Sequence, residues 1–207
     1  KHRYSDLGFY AIPRIIEDKT GKSLDDFVEE FFYDPAGWGS FCFNPLEKME
    51  AENIAPTEND TLFRKSTVHG TVHDPGAAML GGICGHAGLF GNAYDLARLM
   101  HMLRMGGSYG KVDLFKPETI VDWTRRVDPN PDHRKASGFD RPANEADAGP
   151  TCNEASPGSF GHSGFTGTLA WADPDEDILF VFLSNRTFPD ANNRKLIEWD
   201  VRTKIMH

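Results

Sequence analysis

Two short segments carry side chains that could move protons or meet a substrate. Residues 161–168 read GHSGFTGT and place His162 and Ser163 among glycines, directly before an apolar run typical of a strand. Residues 4–6 read YSD and stand before a helix-periodic segment, where a phenol can project into a cleft. Because glycines leave the backbone uncovered, GHSGFTGT is either a flexible loop or a main-chain segment that another molecule approaches closely.

The elements that carry these segments are predicted from apolar spacing and capping residues. Helices are predicted over residues 4–20, 23–37 and 92–107, over a short segment after Pro117, and over residues 192–207. Ser5 and Gly21 are the expected cap and stop of the first helix, and Pro13 should kink it or delay its start. Residues 34–90 carry many turn residues, so they are predicted to be mostly irregular, with a short strand over 67–72.

The C-terminal fifth predicts a β-hairpin. Residues 166–173 and 177–185 are two apolar strands joined by Pro174-Asp175-Glu176, and HSG is predicted to open an internal strand. The near-continuous run ILFVFL is typical of a strand covered on both faces. Helices packed on such a sheet predict an α+β fold, although two strands are too few for an independent sheet. We divide the chain into a mostly helical part at 1–126, a loop or linker at 127–159, and a hairpin with a helix at 160–207.

The composition is that of an acidic globular protein. The chain has 207 residues, 39% of them hydrophobic, and a formal net charge of −9. The length suffices for one sizeable core. The acidic excess disfavours nucleic acid or an anionic membrane surface as a partner, and no apolar stretch approaches the ~20 residues of a membrane span. Three cysteines are too few, and odd in number, for a disulfide framework.

An ordered set of motifs resembles the serine β-lactamase and penicillin-binding-protein superfamily, in its class C-like esterase branch. The motifs are YSD at 4–6, GHAGLF at 85–90 before the segment NAYDLARL, HSG at 162–164, WADP at 171–174 and LSNR at 183–186. YSD alone would be interpreted as a helix cap, but the order of the whole set is specific. The resemblance implies a β-lactamase/transpeptidase-like α+β fold, an antiparallel sheet with packed helices. This chain would be its C-terminal portion, with a sheet left incomplete because the N-terminal segment is missing.

The resemblance also implies an acyl-enzyme mechanism, in which a serine attacks an ester or amide carbonyl. Tyr4 would exchange protons with the nucleophile and the leaving group, and Asp6 stands where asparagine is commoner. In the family the nucleophile lies in a Ser-x-x-Lys motif ahead of the tyrosine. No such motif precedes Tyr4 here, so we expect residues 1–207 to be inactive alone.

The resemblance assigns the remaining site residues to the strand motif. His162 takes the place of the family's lysine, and a histidine is less reliably charged than a lysine, which weakens the case for a penicillin-like carboxylate. Ser163 can donate a hydrogen bond to the substrate or to Tyr4. Gly164 would leave the strand clear for substrate, and the N–H of Phe165 would face the oxyanion.

A metal site is the alternative use of the histidines. His69, His73, Asp74, Cys84 and His86 offer nitrogen, oxygen and sulfur atoms to a metal ion, as in a metal-dependent hydrolase. Their spacing matches no strong zinc pattern, and the resemblance makes these segments loop scaffolding, so we expect no metal and no other cofactor. His86 is then a substrate-binding candidate at the cleft mouth.

The resemblance leaves two functions open. One is a fragment of a serine hydrolase, an esterase or peptidase acting on an ester, amide or peptidoglycan-like substrate. The other is a non-catalytic binding module of the same fold, such as one appended to a cell-wall glycoside hydrolase. By resemblance alone we expect a periplasmic or exported bacterial protein. We also expect self-association through the exposed flank of the incomplete sheet.

Overall fold

The computed structural model describes residues 5–128, 134–142 and 149–207, so Tyr4 lies outside the described residues. The chain forms two compact units. The first runs up to Asp95 and includes Asn185–Asn193, and the second comprises Leu96–Ser184 and Arg194–His207. No helix in the described ranges combines the length and apolar character that crossing a membrane requires.

The first unit consists of short helices, one hairpin and irregular segments. Its helical elements are α1 (Leu7–Thr20), α2 (Leu24–Val28), a π-helical turn (Glu29–Tyr33), α3 (Asp34–Ala36), 3-10 turns at Pro45–Glu47 and Ala51–Asn53, α4 (Pro75–Met79) and the start of α5 (Ala93–Arg104). Strands β1 (Glu58–Asp60) and β2 (Ser66–Val68) pair antiparallel. Trp38, Val68 and Ala77 are among its fully buried side chains.

Helix α1 begins and ends close to where its sequence predicts. Its N-cap residue is Asp6, and the predicted cap Ser5 instead accepts the N–H of Leu7 through its hydroxyl, at 3.3 Å. It ends at Gly21, whose left-handed φ of 72° is readily adopted by glycine. Pro13 lies inside the helix and does not delay its start, since α1 begins at Leu7.

Capping residues set the other predicted helices. The Ser23 hydroxyl accepts the N–H of Asp26 (3.4 Å) at the start of α2, and Gly37 ends α3 in a left-handed conformation. At the start of α5, the side chain of Asn92 accepts the N–H of Asp95 (2.8 Å). Helix α4 was not predicted, because five residues are too few to show a helical period.

The second unit contains the sheet. Its elements are the rest of α5, β3 (Ser108–Tyr109), β4 (Val112–Asp113), α6 (Pro117–Thr124), β5 (Phe160–Ser163), β6 (Leu169–Asp173), β7 (Ile178–Phe182), α7 (Lys195–Glu198) and α8 (Val201–Met206). Strands β5, β6 and β7 form an antiparallel sheet in that order. Central strand β6 is the most buried, with Leu169 and Trp171 each 1% exposed.

The predicted hairpin is confirmed as β6 and β7, but three details of this region are wrong. HSG does not open an internal strand, because His162 and Ser163 end β5, the outer strand of the described sheet. Strand β7 is not covered on both faces, since none of its five residues is buried and Ile178 is 53% exposed. The final helix is two helices, because Asp200 adopts a left-handed φ of 53° between α7 and α8.

Candidate active site

The first part of the candidate site is the beginning of α1. The carbonyl of Asp6 accepts the N–H of Phe9 (2.8 Å), whereas its carboxylate makes no capping hydrogen bond. Asp6 is partly exposed. The Asp6 carboxylate therefore lies at the helix entrance without capping the helix.

The GHAG segment and the preceding Cys84 pack closely against α1. A Cβ at Gly85 would come within 2.9 Å of the Phe9 carbonyl oxygen and 3.2 Å of Ile12 Cβ. The thiol of Cys84 lies 3.9 Å from the same carbonyl. A glycine is needed at residue 85 because the backbone of α1 comes too close for a side chain.

Beneath α1, Tyr10, Asp74 and His86 meet. The Nε2 of His86 lies 3.0 Å from Oδ1 of Asp74, and the His86 side chain is only 8% exposed. The rings of Tyr10 and His86 pack edge to face, with centroids 4.8 Å apart. His86 was predicted to bind substrate; the structure places it in this buried contact.

The charges around this cluster act on both acids. Burial first, and then the negative charges of Asp74 and Asp6 and the thiol of Cys84, raise the pKa of the Tyr10 phenol. Burial opposes ionisation of Asp74, but the Ala77 N–H and His86 outweigh it and lower the pKa of that carboxyl. At neutral pH Asp74 is therefore an acceptor and Tyr10 a neutral phenol.

His69 and His73, the other two histidines considered as metal ligands, each contact a protein group. His73 Nε2 lies 2.6 Å from Glu58 Oε2, and His69 Nε2 lies 2.6 Å from the Ile54 carbonyl. In the described part of the chain, no three His, Cys, Asp or Glu side chains come together as a metal site would require. The His73–Glu58 contact instead joins β1 to the segment that contains Asp74.

The second part of the candidate site is the end of β5. His162 is exposed, and its Nδ1 lies 2.8 Å from the carbonyl of Ser163. Gly161 exchanges two backbone hydrogen bonds with Asp140 on the outer edge, at 2.7 and 3.1 Å. A Cβ at Gly161 would overlap the Ala170 carbonyl and come within 2.5 Å of the Trp171 ring.

A tight turn follows β5 and leads into β6. The N–H of Gly164 donates to the Thr168 carbonyl (2.8 Å), and the N–H of Gly167 donates to the Gly164 carbonyl (3.0 Å). Gly167 has a φ of 105°, a conformation that side chains disfavour. Phe165 is 65% exposed at the tip. GHSGFTGT thus forms a strand end followed by a hydrogen-bonded turn.

Two further side chains hold the far side of this turn. The hydroxyl of Ser184, from the LSNR motif, donates to the Gly167 carbonyl (2.9 Å), and Arg202 in α8 donates to the Thr168 carbonyl (3.1 Å). Neither was predicted as a functional residue. The LSNR motif was a signal for Ser184, whereas Arg202 lies in a segment that showed only helical spacing.

The structure groups the predicted residues by unit. Asp6 and His86 lie in the first unit with Tyr10 between them, and His162 to Phe165 lie together in the second. Their catalytic roles stay predictions. The expected hydrogen bond from Ser163 to the substrate or to Tyr4 also stays a prediction, since Tyr4 is not among the described residues.

Comparison with known sequences identifies close matches along the chain. The model of the family described as Beta-lactamase matches residues 1–202. Proteins of Salmonella newport and Salmonella agona, each named "Putative D-alanyl-D-alanine carboxypeptidase", are 37% identical over 209 residues, covering 95% of this chain and 48% of their own length. The chain therefore spans about half the length of the curated relatives it matches.

Solved structures share the fold at low sequence identity. A beta-lactamase from Mycobacterium bovis matches 99% of this chain and 63% of its own, with a TM-score of 0.61 and 19% identity. EstCE1, a hydrolase with promiscuous acyltransferase activity, matches 98% of this chain and 56% of its own (TM-score 0.62, 19% identity). A family VIII carboxylesterase matches 84% and 49%, respectively (TM-score 0.55, 20% identity). The predicted α+β, β-lactamase-like fold is confirmed.

Proposed function

The chain belongs to the beta-lactamase family, and from that premise we propose that it forms part of a serine hydrolase acting through an acyl-enzyme. The family is one of serine hydrolase-like β-lactamases, esterases and carboxypeptidases. The substrate we propose is a peptide ending in D-alanyl-D-alanine, with release of the last residue. The name carried by relatives that are 37% identical supports this choice.

The observation that carries the proposal is the exposed but fixed end of β5. His162, Gly164 and Phe165 are exposed, while Ser184 and Arg202 hold the opposite side of the turn. An extended peptide can pair with such a strand end through its main chain, and a fixed backbone N–H can stabilise a developing oxyanion without reorganisation.

The role of each residue in this proposal follows the family resemblance. His162 and Ser163 contact the substrate, and the main chain at Gly164 and Phe165 faces its carbonyl group. Tyr4 transfers protons, with Asp6 beside it at the helix entrance. The serine nucleophile lies in a Ser-x-x-Lys motif outside residues 1–207, so acylation requires the protein at its full natural length.

Mass spectrometry of the protein at its full natural length tests the mechanism. We expect a covalent adduct with a fluorophosphonate and with a penicillin, and none with residues 1–207 alone. Release of D-alanine from an acyl-D-alanyl-D-alanine peptide tests the substrate. A folded full-length protein that forms no adduct and releases no D-alanine contradicts the proposal. If it binds the peptide without turnover, the non-catalytic binding module is the correct function.

Variants of two exposed histidines test the site. His162→Ala should lower kcat/KM for the peptide by about tenfold or more, as expected when a hydrogen bond to a charged group is lost. His207→Ala removes another exposed imidazole, at the end of α8, and should leave kcat/KM unchanged. Equal effects of both substitutions would contradict the assignment of His162.

The proposed substrate also favours an exported location. Peptides ending in D-alanyl-D-alanine occur in the bacterial cell wall, outside the cytoplasmic membrane. Fractionation of cells that produce the protein tests this part, and recovery in the cytoplasm alone would contradict it.

A further inference from the structure

Helix α1 has few side chains to hold it in place. It is 14 residues long, and none of its residues is fully buried. Leu7 and Ile15 are 73% and 54% exposed. Its position therefore depends on a small number of contacts, among them those of the Phe9 carbonyl with Cys84 and Gly85 and those of the Tyr10 side chain with His86. Tyr10 follows Asp6 by four residues, so both lie on one face of the helix.

The residues that contact Tyr10 are themselves fixed by hydrogen bonds. Asp74 accepts the N–H of Ala77 (2.7 Å) as well as the Nε2–H of His86, so two donors orient its carboxylate. A Cβ at Gly76 would overlap the Tyr10 hydroxyl and come within 3.0 Å of its ring carbon Cζ. The tyrosine side chain thus lies against backbone on one side and against the His86 ring on the other.

The segment that carries Asp74 is also bound by residues of hairpin β1–β2. Arg64 donates to the carbonyls of Val72 (2.6 Å) and His73 (3.1 Å), and His73 contacts Glu58 in β1. Hairpin β1–β2 therefore fixes the two residues before Asp74. The hairpin thus opposes displacement of Asp74. Since Asp74 is fixed in this way, the contacts of Tyr10 with His86 and with the Gly76 backbone decide where the first turn of α1 lies.

We propose that Asp74 and His86 are positioning residues that act through Tyr10 to hold the start of α1, and with it the Asp6 carboxylate, in the geometry that acylation requires. The proposal rests on the proposed function. It differs from the earlier expectation that His86 binds substrate. A positioning role lowers kcat with KM unchanged, whereas a substrate contact would raise KM.

Two substitutions of His86 separate the effect of its hydrogen-bond donor from the effect of its side-chain volume. His86→Gln places an amide N–H near the position of Nε2 and should retain most of the acylation rate. His86→Leu removes the donor and should lower kcat by about tenfold, the effect of losing one hydrogen bond to a carboxylate. His69→Leu is the matched control, because His69 in the same unit also makes a single hydrogen bond, to the Ile54 carbonyl. It should leave the rate per folded molecule unchanged.

Gly76→Ala perturbs Tyr10 without changing His86. Alanine favours a helix over glycine, so a loss must come from crowding by the new Cβ, which would overlap the Tyr10 hydroxyl and lie 3.2 Å from Oδ1 of Asp74. Only the part that Tyr10→Phe recovers is assigned to the hydroxyl. Tyr10→Phe removes that oxygen and should recover part of the activity in the double variant. A Gly76→Ala variant with the full rate would contradict the proposal independently of His86.

Hydrogen–deuterium exchange and single-turnover acylation, both on the protein at its full natural length, form the test. In His86→Leu, exchange should rise by about tenfold in α1 beyond its first turn, where the N–H groups have intrahelical partners, and stay unchanged in α6. Unchanged exchange in α1 overturns the anchoring, and faster exchange with an unchanged kcat overturns the positioning of Asp6. If no probe acylates the wild-type protein, the proposed function fails and the positioning role with it, whereas the exchange result still decides whether the cluster anchors α1.

Discussion

Replacing Gly164 with alanine distinguishes two explanations for the glycine at the end of β5. The sequence suggested that the residue lacks a side chain so that substrate can approach. The structure adds a second cause, because a Cβ at Gly164 would overlap Oγ1 of Thr168. The next nearest atom is Thr168 Cβ at 3.6 Å, an ordinary van der Waals distance. The obstruction is therefore one side-chain oxygen.

The structure sets the size of the effect. To accommodate alanine, Thr168 must leave its rotamer, so Gly164→Ala should lower the free energy of unfolding by about 1–2 kcal/mol. In the double variant with Thr168→Ala the oxygen is gone, and most of this loss should disappear, giving a coupling of about 1 kcal/mol between the two sites. Gly161→Ala is the contrast. Its Cβ would overlap a backbone carbonyl and crowd a buried tryptophan, so it should cost about 3 kcal/mol or more.

Denaturant unfolding measures the stability of each variant, and acylation by a fluorophosphonate measures its activity at full natural length. If the double variant regains stability but not acylation, the glycine serves the substrate as well as the turn. If it regains both, the turn alone explains the glycine. Wild-type stability in the Gly164→Ala single variant would refute the steric reasoning.

Three further predictions concern stability and reactivity. Hydrogen bonds from the N–H groups of Phe63, Arg64 and Leu62 and from the Arg64 side chain lower the pKa of Asp60 to about 2. The stability that Asp60 contributes is thus present above about pH 4 and lost as the pH falls towards 2. The Tm difference between wild type and Asp60→Asn should vanish near pH 2, and a difference that grows at low pH would contradict this. Arg141 donates to the carbonyls of Thr124, Pro157 and Gly158, so Arg141→Lys should lower the free energy of unfolding by about 1–3 kcal/mol. Arg125→Lys, at the exposed residue that follows α6, should change it by less than about 0.5 kcal/mol. All cysteines, Cys42, Cys84 and Cys152, are buried, so a thiol reagent should label them only as the protein unfolds, and fast labelling under native conditions would contradict their placement.

The parts of the fold that the sequence predicts are those fixed by near neighbours in the chain. Ser23 and Gly21 mark helix ends through contacts within four residues, and the turn at Pro174–Glu176 lies between two apolar runs. The break at Asp200 was missed because aspartate in a left-handed conformation leaves no mark on apolar spacing. The exposure of β7 was missed because an apolar run reports composition, not what packs on the two faces of the strand.

The candidate site was predictable as a set of motifs but not as a set of contacts. The histidine of GHAG stood out by its residue type, yet its contact with Tyr10 joins residues 76 positions apart. The spacing of residues within one helix or strand cannot predict a contact between residues so far apart in the chain. Gly76 and Gly85 were the available signals, since each marks a place where the backbone or a ring of α1 comes close.

The glycines beside the two candidate histidines also limit where a substrate can lie. The space that a side chain would take at Gly85 is filled by the backbone of α1, and the same space at Gly161 is filled by Trp171 and the Ala170 carbonyl. On the outer edge of β5, Asp140 already pairs with Gly161. Because the N–H and C=O of alternate strand residues face the same edge, Ser163 is the next residue directed outward. A peptide that extends the sheet must therefore pair beyond Gly161, at Ser163 and the following turn, and this places the proposed acyl transfer at the C-terminal end of β5.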